Sequence, residues 1–251
     1  MSAPWVLGSL IAGVGARLAV WLMARWSLAL RSWLTGTAGR ILAWLGWMIW
    51  LVAPGYAALL LGILSPRLMG LTQIDWGAPF GYGLAFAALA MAILVAAGVT
   101  VRQRGFALPA WPTLSAALAG SVLLGAEAGA LQWHWAFYRS AAIQATQELG
   151  ASAPVVVGTW IGIGIVVLEG ALNPRLWQDL QIPGQAERRV LRAVLLVATS
   201  VLFLLSRNFW LLWATHALAA IILEPRVAQP HSWLAGNEKG PAADRMTASG
   251  P

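Results

Sequence analysis

Three ionisable side chains, Glu127, His134 and His216, lie in stretches that are otherwise apolar. Glu127 and His134 are seven residues apart, close to two helical turns, so they share one face of a helix. A glutamate in this setting can act as a general base on water, and a histidine can hold a metal ion. Because an ionisable group at membrane depth is costly unless it is paired or faces a polar cavity, all three are candidate functional residues.

Each candidate also has a purely structural interpretation. Glu127 could be protonated or hydrogen-bonded to a neighbouring helix, His134 could lie at the outer interface, and His216 could hydrogen-bond between helices. Glu169, near the cytoplasmic end of a different apolar stretch, is expected to extend its carboxylate toward the membrane surface. The residue types alone leave catalytic and structural roles open.

The composition is typical of a protein embedded in a membrane. Of the 251 residues, 59% are hydrophobic and 10% are charged, whereas soluble domains carry about 25% charged residues. The chain has no cysteine, which excludes disulfides and thiolate chemistry. Its net charge of +7 fits arginines that meet anionic lipid headgroups, and no nucleic-acid partner is expected.

Apolar runs of membrane-spanning length recur along the chain, and a lipid-exposed backbone must form its hydrogen bonds within its own helix. We therefore predict an all-α, polytopic transmembrane bundle over residues 41–223. About six spans are expected, at 41–64, 77–101, 112–138, 154–172, 190–205 and 209–223. Residues 206–208 indicate a tight turn between the last two spans, and residues 224–251 have the composition of a disordered cytoplasmic tail.

The basic residues predict the orientation of the bundle. With six spans, thirteen of the sixteen lysines and arginines fall on one side, and Arg67, Arg139 and Arg207 fall on the other. Cytoplasmic loops carry the excess of basic residues in membrane proteins. The split therefore predicts a bacterial inner-membrane protein with both termini in the cytoplasm.

Residues 1–40 allow two interpretations. The segment is largely apolar but contains Arg17, Arg25 and Arg31, which lie on one side of a helix. This pattern predicts an amphipathic helix in the cytoplasmic interface. The alternative is an additional span, which would move the amino-terminal end outside and leave the other six spans unchanged.

The chain resembles a known family in its later spans. A glutamate in a mid-chain helix and a His-Ala pair in the final helix, preceded by Asn-Phe-Trp at 208–210, resemble the CPBP (CAAX protease and bacteriocin-processing) intramembrane metalloproteases. Members of that family carry Glu-Glu-x-x-x-Arg, Phe-x-x-x-His and His-x-x-x-Asn/Asp motifs, which together hold a metal and activate water. The resemblance covers roughly residues 59–223 and implies that Glu127 and His216 occupy catalytic positions and approach each other across the bundle.

The match to these motifs is partial. The second glutamate falls on Ala128 and the arginine falls on Gln132. The middle histidine falls on Gly164, and the last polar residue falls on Ala220. A catalytic zinc usually has three protein ligands, so the chain resembles a degenerate member of the family and no bound metal is expected.

Three functions follow as hypotheses. The favoured one is a non-catalytic accessory or scaffolding subunit of a larger membrane complex, without cofactor, whose partners are the lipid bilayer and other integral membrane subunits. One alternative is an active metal-dependent intramembrane protease that binds zinc through Glu127, His134 and His216. Another is a pigment- or quinone-binding subunit of a photosynthetic or respiratory complex, with His134 or His216 as axial ligand to a chlorophyll-type pigment or heme.

Close helix packing is expected at the glycines of the third and fourth spans, namely Gly120, Gly125, Gly129, Gly158, Gly162 and Gly164.

Overall fold

The structure, a computed structural model, describes residues 2–27, 32–33, 36–103 and 114–224. All regular secondary structure within these ranges is helical, so the predicted all-α fold is confirmed. The helices are α1 (Ser2–Trp26), α2 (Thr37–Leu60), α3 (Pro66–Met69), α4 (Ala78–Gln103), α5 (Leu114–Glu148), α6 (Pro154–Ala171), α7 (Pro174–Asp179), α8 (Pro183–Ser206) and α9 (Phe209–Leu223). Four of them begin at a proline, which has no amide hydrogen to leave unpaired in the first turn.

Five described helices, α1, α2, α4, α6 and α8, are long and apolar enough to cross a membrane. The apolar helix α9 is shorter, with 15 residues. Helix α5 is the longest, with 35 residues, and it lies at the centre of the bundle in contact with α1, α2, α6 and α9. This architecture is compatible with a lipid bilayer, as the composition predicts.

The turn between α8 and α9 has the predicted position, and its geometry follows from three residues. Arg207 ends α8 in the left-handed conformation with φ of 48°. The Asn208 side chain then accepts hydrogen bonds from Trp210 N and Leu211 N at 3.0 and 3.2 Å, which satisfies two amides at the start of α9. The tight turn is therefore confirmed, and it makes α8 and α9 neighbours in the bundle.

Two helices are longer than the predicted spans, because each of them continues through charged residues. Helix α5 continues to Glu148 instead of residue 138, and α8 begins at Pro183 instead of residue 190. Arg139, where the predicted third span ends, is covered by neighbouring helices with 2% exposure, and its placement on the outer side of the membrane stays a prediction. A hydropathy pattern does not distinguish a charge at a helix end from one that neighbouring helices cover.

Close contact between α5 and α6 depends on two glycines of α6. A Cβ on Gly158 would lie 2.5 Å from Ile143 N, and one on Gly162 would lie 2.7 Å from Arg139 Cα. The expected role of small residues is therefore confirmed at these positions. It is wrong for Gly120, Gly125 and Gly164, because no atom lies within 4 Å of the position that a Cβ would occupy at any of them.

Helix α1 packs lengthwise against the bundle. Trp5 Nε1 donates to Pro54 O at 3.2 Å, and the Arg17 guanidinium lies over the Trp50 ring, 5.6 Å from its centroid. Residue 5 thus meets residue 54 and residue 17 meets residue 50, so α1 and α2 run antiparallel. These contacts attach α1 to α2, and both interpretations of residues 1–40 stay predictions.

The carboxyl-terminal segment departs from the prediction at its first residue. Glu224, expected to begin a disordered tail, instead ends α9 and is buried with 4% exposure. The rest of the predicted tail, residues 225–251, lies outside the described residues. Glu224 is held in place by two arginines of α8, and it therefore belongs to the folded bundle.

Candidate functional site

Helix α5 carries more of the buried polar residues than any other described helix and directs them to different neighbours. Glu127, Gln132 and His134 are all buried on this helix. The partner of Glu127 lies on α8, that of Gln132 lies on α9, and that of His134 lies on α6. The predicted site residues are consequently divided among three groups of side chains.

The first group, here called the Glu169 cluster, consists of Arg17, Trp50, His134 and Glu169 and joins four helices. His134 Nε2 donates to Glu169 Oε2 at 2.7 Å. Arg17 and Trp50 both donate to Glu169 Oε1, the indole at 3.3 Å. With 4% exposure Glu169 does not reach the membrane surface, so the expectation that it extends to the headgroups is wrong.

An aromatic ring packs against the histidine of this cluster. The edge of Tyr138 meets His134 with the ring centroids 4.8 Å apart. His134 Nδ1 is buried without a hydrogen-bond partner among the described residues. Since Nε2 is bound to a carboxylate and the ring is packed against Tyr138, His134 links α5 to α6 in this structure.

The second group, the Glu127 network, consists of Glu127, Arg188, Arg192 and Glu224. Arg192 pairs with Glu127 Oε1, and Arg188 Nη2 lies 3.8 Å from Glu127 Oε2. The same two arginines pair with Glu224, with Arg192 Nε 3.3 Å from Glu224 Oε1. Two carboxylates and two guanidinium groups therefore join α5, α8 and the end of α9.

The two arginines of this network lower the pKa of the Glu224 carboxyl group. Burial alone would raise the pKa of its carboxyl group, but Arg192 and Arg188 outweigh burial and hold the pKa below its ordinary value. A carboxylate between two cations is favoured in its ionised form. The network is consequently an ionic link between helices near neutral pH.

The third group, the Gln132 triad, consists of Gln132, Thr199 and His216. Gln132 Nε2 donates to Thr199 Oγ1 at 3.0 Å and to His216 Nδ1 at 2.9 Å. The His216 ring also stacks on Trp135, with the centroids 5.1 Å apart and an interplanar angle of 15°. Because Nδ1 accepts this hydrogen bond, His216 is the neutral tautomer with its proton on Nε2.

Glu127 and His216, which the family resemblance places at catalytic positions, therefore have different immediate partners. Glu127 pairs with Arg192 and Arg188, whereas His216 pairs with Gln132 and Trp135. Both residues contribute to contacts between helices.

The ligands that a catalytic zinc requires are not assembled in the described part of the chain. No three His, Cys, Asp or Glu side chains there lie close enough together to hold a metal ion. A catalytic zinc site typically takes three protein ligands and leaves one position open. Gly164, where the family resemblance places a histidine, lies on the exposed side of α6.

Comparisons of the chain with protein-family models, with curated proteins and with solved structures find no match. Membership in the CPBP family therefore stays a prediction that depends on Glu127, His216 and the order of the helices.

The sequence identified Glu127, His134 and His216 as polar groups in apolar stretches but did not reveal their partners. Arg17 and Glu169 are separated by 152 positions, and Arg192 and Glu127 by 65. One signal for Arg17 was present, since it interrupts an otherwise apolar helix. A basic residue in such a helix can pair with a buried acidic residue of another helix or with a lipid headgroup.

Proposed function

We propose that this protein is a non-catalytic accessory or scaffolding subunit of a larger complex in a bacterial inner membrane, and a degenerate relative of the CPBP proteases. The observation that carries the proposal is the use of Glu127 and His216 in helix-to-helix contacts. Glu127 is held by Arg192, and Gln132 donates to His216. An active protease would need these groups to face water and a substrate.

The outer surface of the bundle supports a role in association. Large apolar side chains are exposed along most of the long helices, among them Leu60, Leu89, Val122 and Val167. Lipid covers such surfaces in a bilayer, and other membrane helices can replace lipid where small residues permit close approach. Gly125 and Gly164 leave open space of this kind on α5 and α6.

Purification tests the accessory role directly. We expect a tagged chain, extracted in mild detergent, to co-purify with defined membrane subunits in fixed stoichiometry. The variants Glu127→Gln and His216→Ala should reduce assembly or thermal stability. Cleavage of a membrane peptide by the purified chain, abolished by a chelator, would instead establish the protease alternative.

The orientation is proposed from the same helices. If α1 crosses the membrane, its first residues lie outside and the end of α9 lies in the cytoplasm, in place of the cytoplasmic amino terminus expected for six spans. The arginine-rich start of α8 then faces the cytoplasm, in agreement with the positive-inside rule. The absence of native cysteine makes single-cysteine labelling clean.

Three positions distinguish the two topologies. Cysteines at Pro4 and Thr72 should both react with an impermeant maleimide added to intact cells, and a cysteine at Gln178 should not. All three side chains are exposed. Labelling at Thr72 but not at Pro4 would support the six-span arrangement.

A further inference from the structure

A buried arginine near the middle of the bundle has no ionic partner in the described part of the chain. Arg139 is 2% exposed, and it packs against Gly162, close to the midpoint of α6. Its Nε and Nη2 atoms have no hydrogen-bond partner among the residues that the structure describes. The guanidinium instead stacks on Phe203, 3.8 Å from the ring centroid.

This arrangement differs from that of the other buried charges. Glu127, Glu169 and Glu224 each have at least one cationic partner. A cation–π contact compensates only part of the cost of burying a guanidinium group. A charge at this depth is usually paired or faces a polar cavity, so Arg139 needs an anion that the described chain does not supply.

A cleft of about 250 Å³, which Phe203 lines and Arg139 does not, opens at the end of the bundle where α2 connects to α4. Phe203, whose ring stacks on Arg139, and Ile143, one turn along α5, belong to its wall. Arg67 and Arg207 also line the cleft, and both side chains are exposed. No described carboxylate forms an ion pair with either of them.

The charged residues that line the cleft are two arginines and one aspartate. Its one acidic residue, Asp75, accepts a hydrogen bond from Gly77 N at 2.8 Å. Gln73 and Arg207, the two non-glycine residues with positive φ in the described chain, both line this cleft. Such backbone conformations are unfavourable and are often found at functional sites.

We propose that this cleft binds an anionic group, a phosphate or a carboxylate, through Arg67 and Arg207, and that the bound anion supplies the counter-charge for Arg139 behind Phe203. Arginine suits this role because its guanidinium matches the geometry of both anions. The anion can come from a phospholipid headgroup or from a soluble phosphate. The proposal does not depend on the accessory role of the protein.

Thermal unfolding of the purified full chain tests the site. The protein is placed in nanodiscs of phosphatidylcholine, and inorganic phosphate is added at constant ionic strength against chloride. At about ten times the dissociation constant the unfolding midpoint should rise by roughly 3–6 °C. A second arm replaces part of the phosphatidylcholine with phosphatidylglycerol in phosphate-free buffer.

Variants assign the effect to this cleft. The double variant Arg67→Gln/Arg207→Gln should weaken binding about tenfold or more, because each residue loses a charge-assisted hydrogen bond. Arg139→Met should also weaken it, whereas Arg25→Gln, an exposed arginine outside the cleft, should leave it unchanged. The exposed positions of Arg67 and Arg207 keep the test usable if Arg139→Met fails to fold.

Each outcome has a defined meaning. A shift with phosphate identifies a soluble anion, and a shift with phosphatidylglycerol alone identifies a lipid headgroup; both support the site if the cleft variants reduce them. The proposal is overturned if neither anion changes the midpoint. It is equally overturned if the shift persists unchanged in Arg67→Gln/Arg207→Gln.

Discussion

Replacing Glu169 with leucine should lower the free energy of unfolding by about 3 kcal/mol. The carboxylate receives hydrogen bonds from His134, Arg17 and Trp50, and all three lose their acceptor at once. Breaking a buried ion pair typically costs about 3–5 kcal/mol. The lower end applies here, because the Arg17 side chain retains 28% exposure and can be partly rehydrated.

The variant Glu169→Gln removes the negative charge but keeps the size of the side chain and one hydrogen-bond acceptor. The amide oxygen of Glu169→Gln can still accept from Arg17 or Trp50, but the charge that pairs with Arg17 is gone. We expect a loss of about 1–2 kcal/mol, between the wild type and the leucine variant. The order wild type, Gln, Leu would show that the carboxylate stabilises the bundle by both charge and hydrogen bonding.

Denaturant-induced unfolding in mild detergent, followed by circular dichroism, measures these differences. Glu187→Leu is the matched control, because Glu187 is exposed on α8 and its replacement should change stability by less than about 0.5 kcal/mol. Hydrogen exchange should also increase in α1, which the cluster joins to the core. Equal stability of Glu169→Leu and Glu187→Leu would refute the assignment of Glu169 as a structural link.

Three further predictions concern other contacts between helices. Glu127→Leu should cost about 3 kcal/mol and Glu127→Gln about 1 kcal/mol, as measured by denaturant unfolding, because leucine removes one of the two carboxylates that pair with Arg192 and glutamine keeps a hydrogen-bond acceptor there; equal losses would contradict this. The pKa of Glu224 is below its ordinary value of 4.5, so its contribution is fully present above that pH and is lost as the pH falls through the lowered value; Glu224→Gln should flatten this acid limb of a stability–pH profile. Gly158→Ala should cost about 1–3 kcal/mol of unfolding free energy, since its Cβ would meet the backbone of α5, whereas Gly164→Ala, in open space, should be neutral.

Much of the helical architecture could be predicted because it depends on local features of the sequence. Helix α9 has the predicted bounds, residues 209–223, since Asn208 caps it and apolar residues fill it. The limits of α5 and α8 could not be predicted from hydropathy. Both helices continue through arginines, and the packing of other helices decides whether those arginines are covered.

The polar groups show the same division between local and tertiary information. Glu127, His134 and His216 were identified because an ionisable residue in an apolar stretch is visible in the sequence. Their partners were not, since pairing across helices depends on rotation and depth, which residue spacing within one helix does not fix. A tryptophan adds an example, since Trp133 donates to Val52 O at 3.0 Å and so joins α5 to α2.

The distribution of paired and unpaired buried charges along the described bundle suggests where function lies. At the end formed by the carboxyl termini of α6 and α9, Glu169 and Glu224 are fully engaged by cations and the helices are linked by charge. Toward the other end, Arg139 lacks a described partner and stacks on the wall of a cationic cleft. Sequences depart from complete pairing mainly where function requires it. We therefore expect ligand-dependent changes in hydrogen exchange at the cleft and around Arg139, with the Glu169 cluster acting as the rigid end of the bundle.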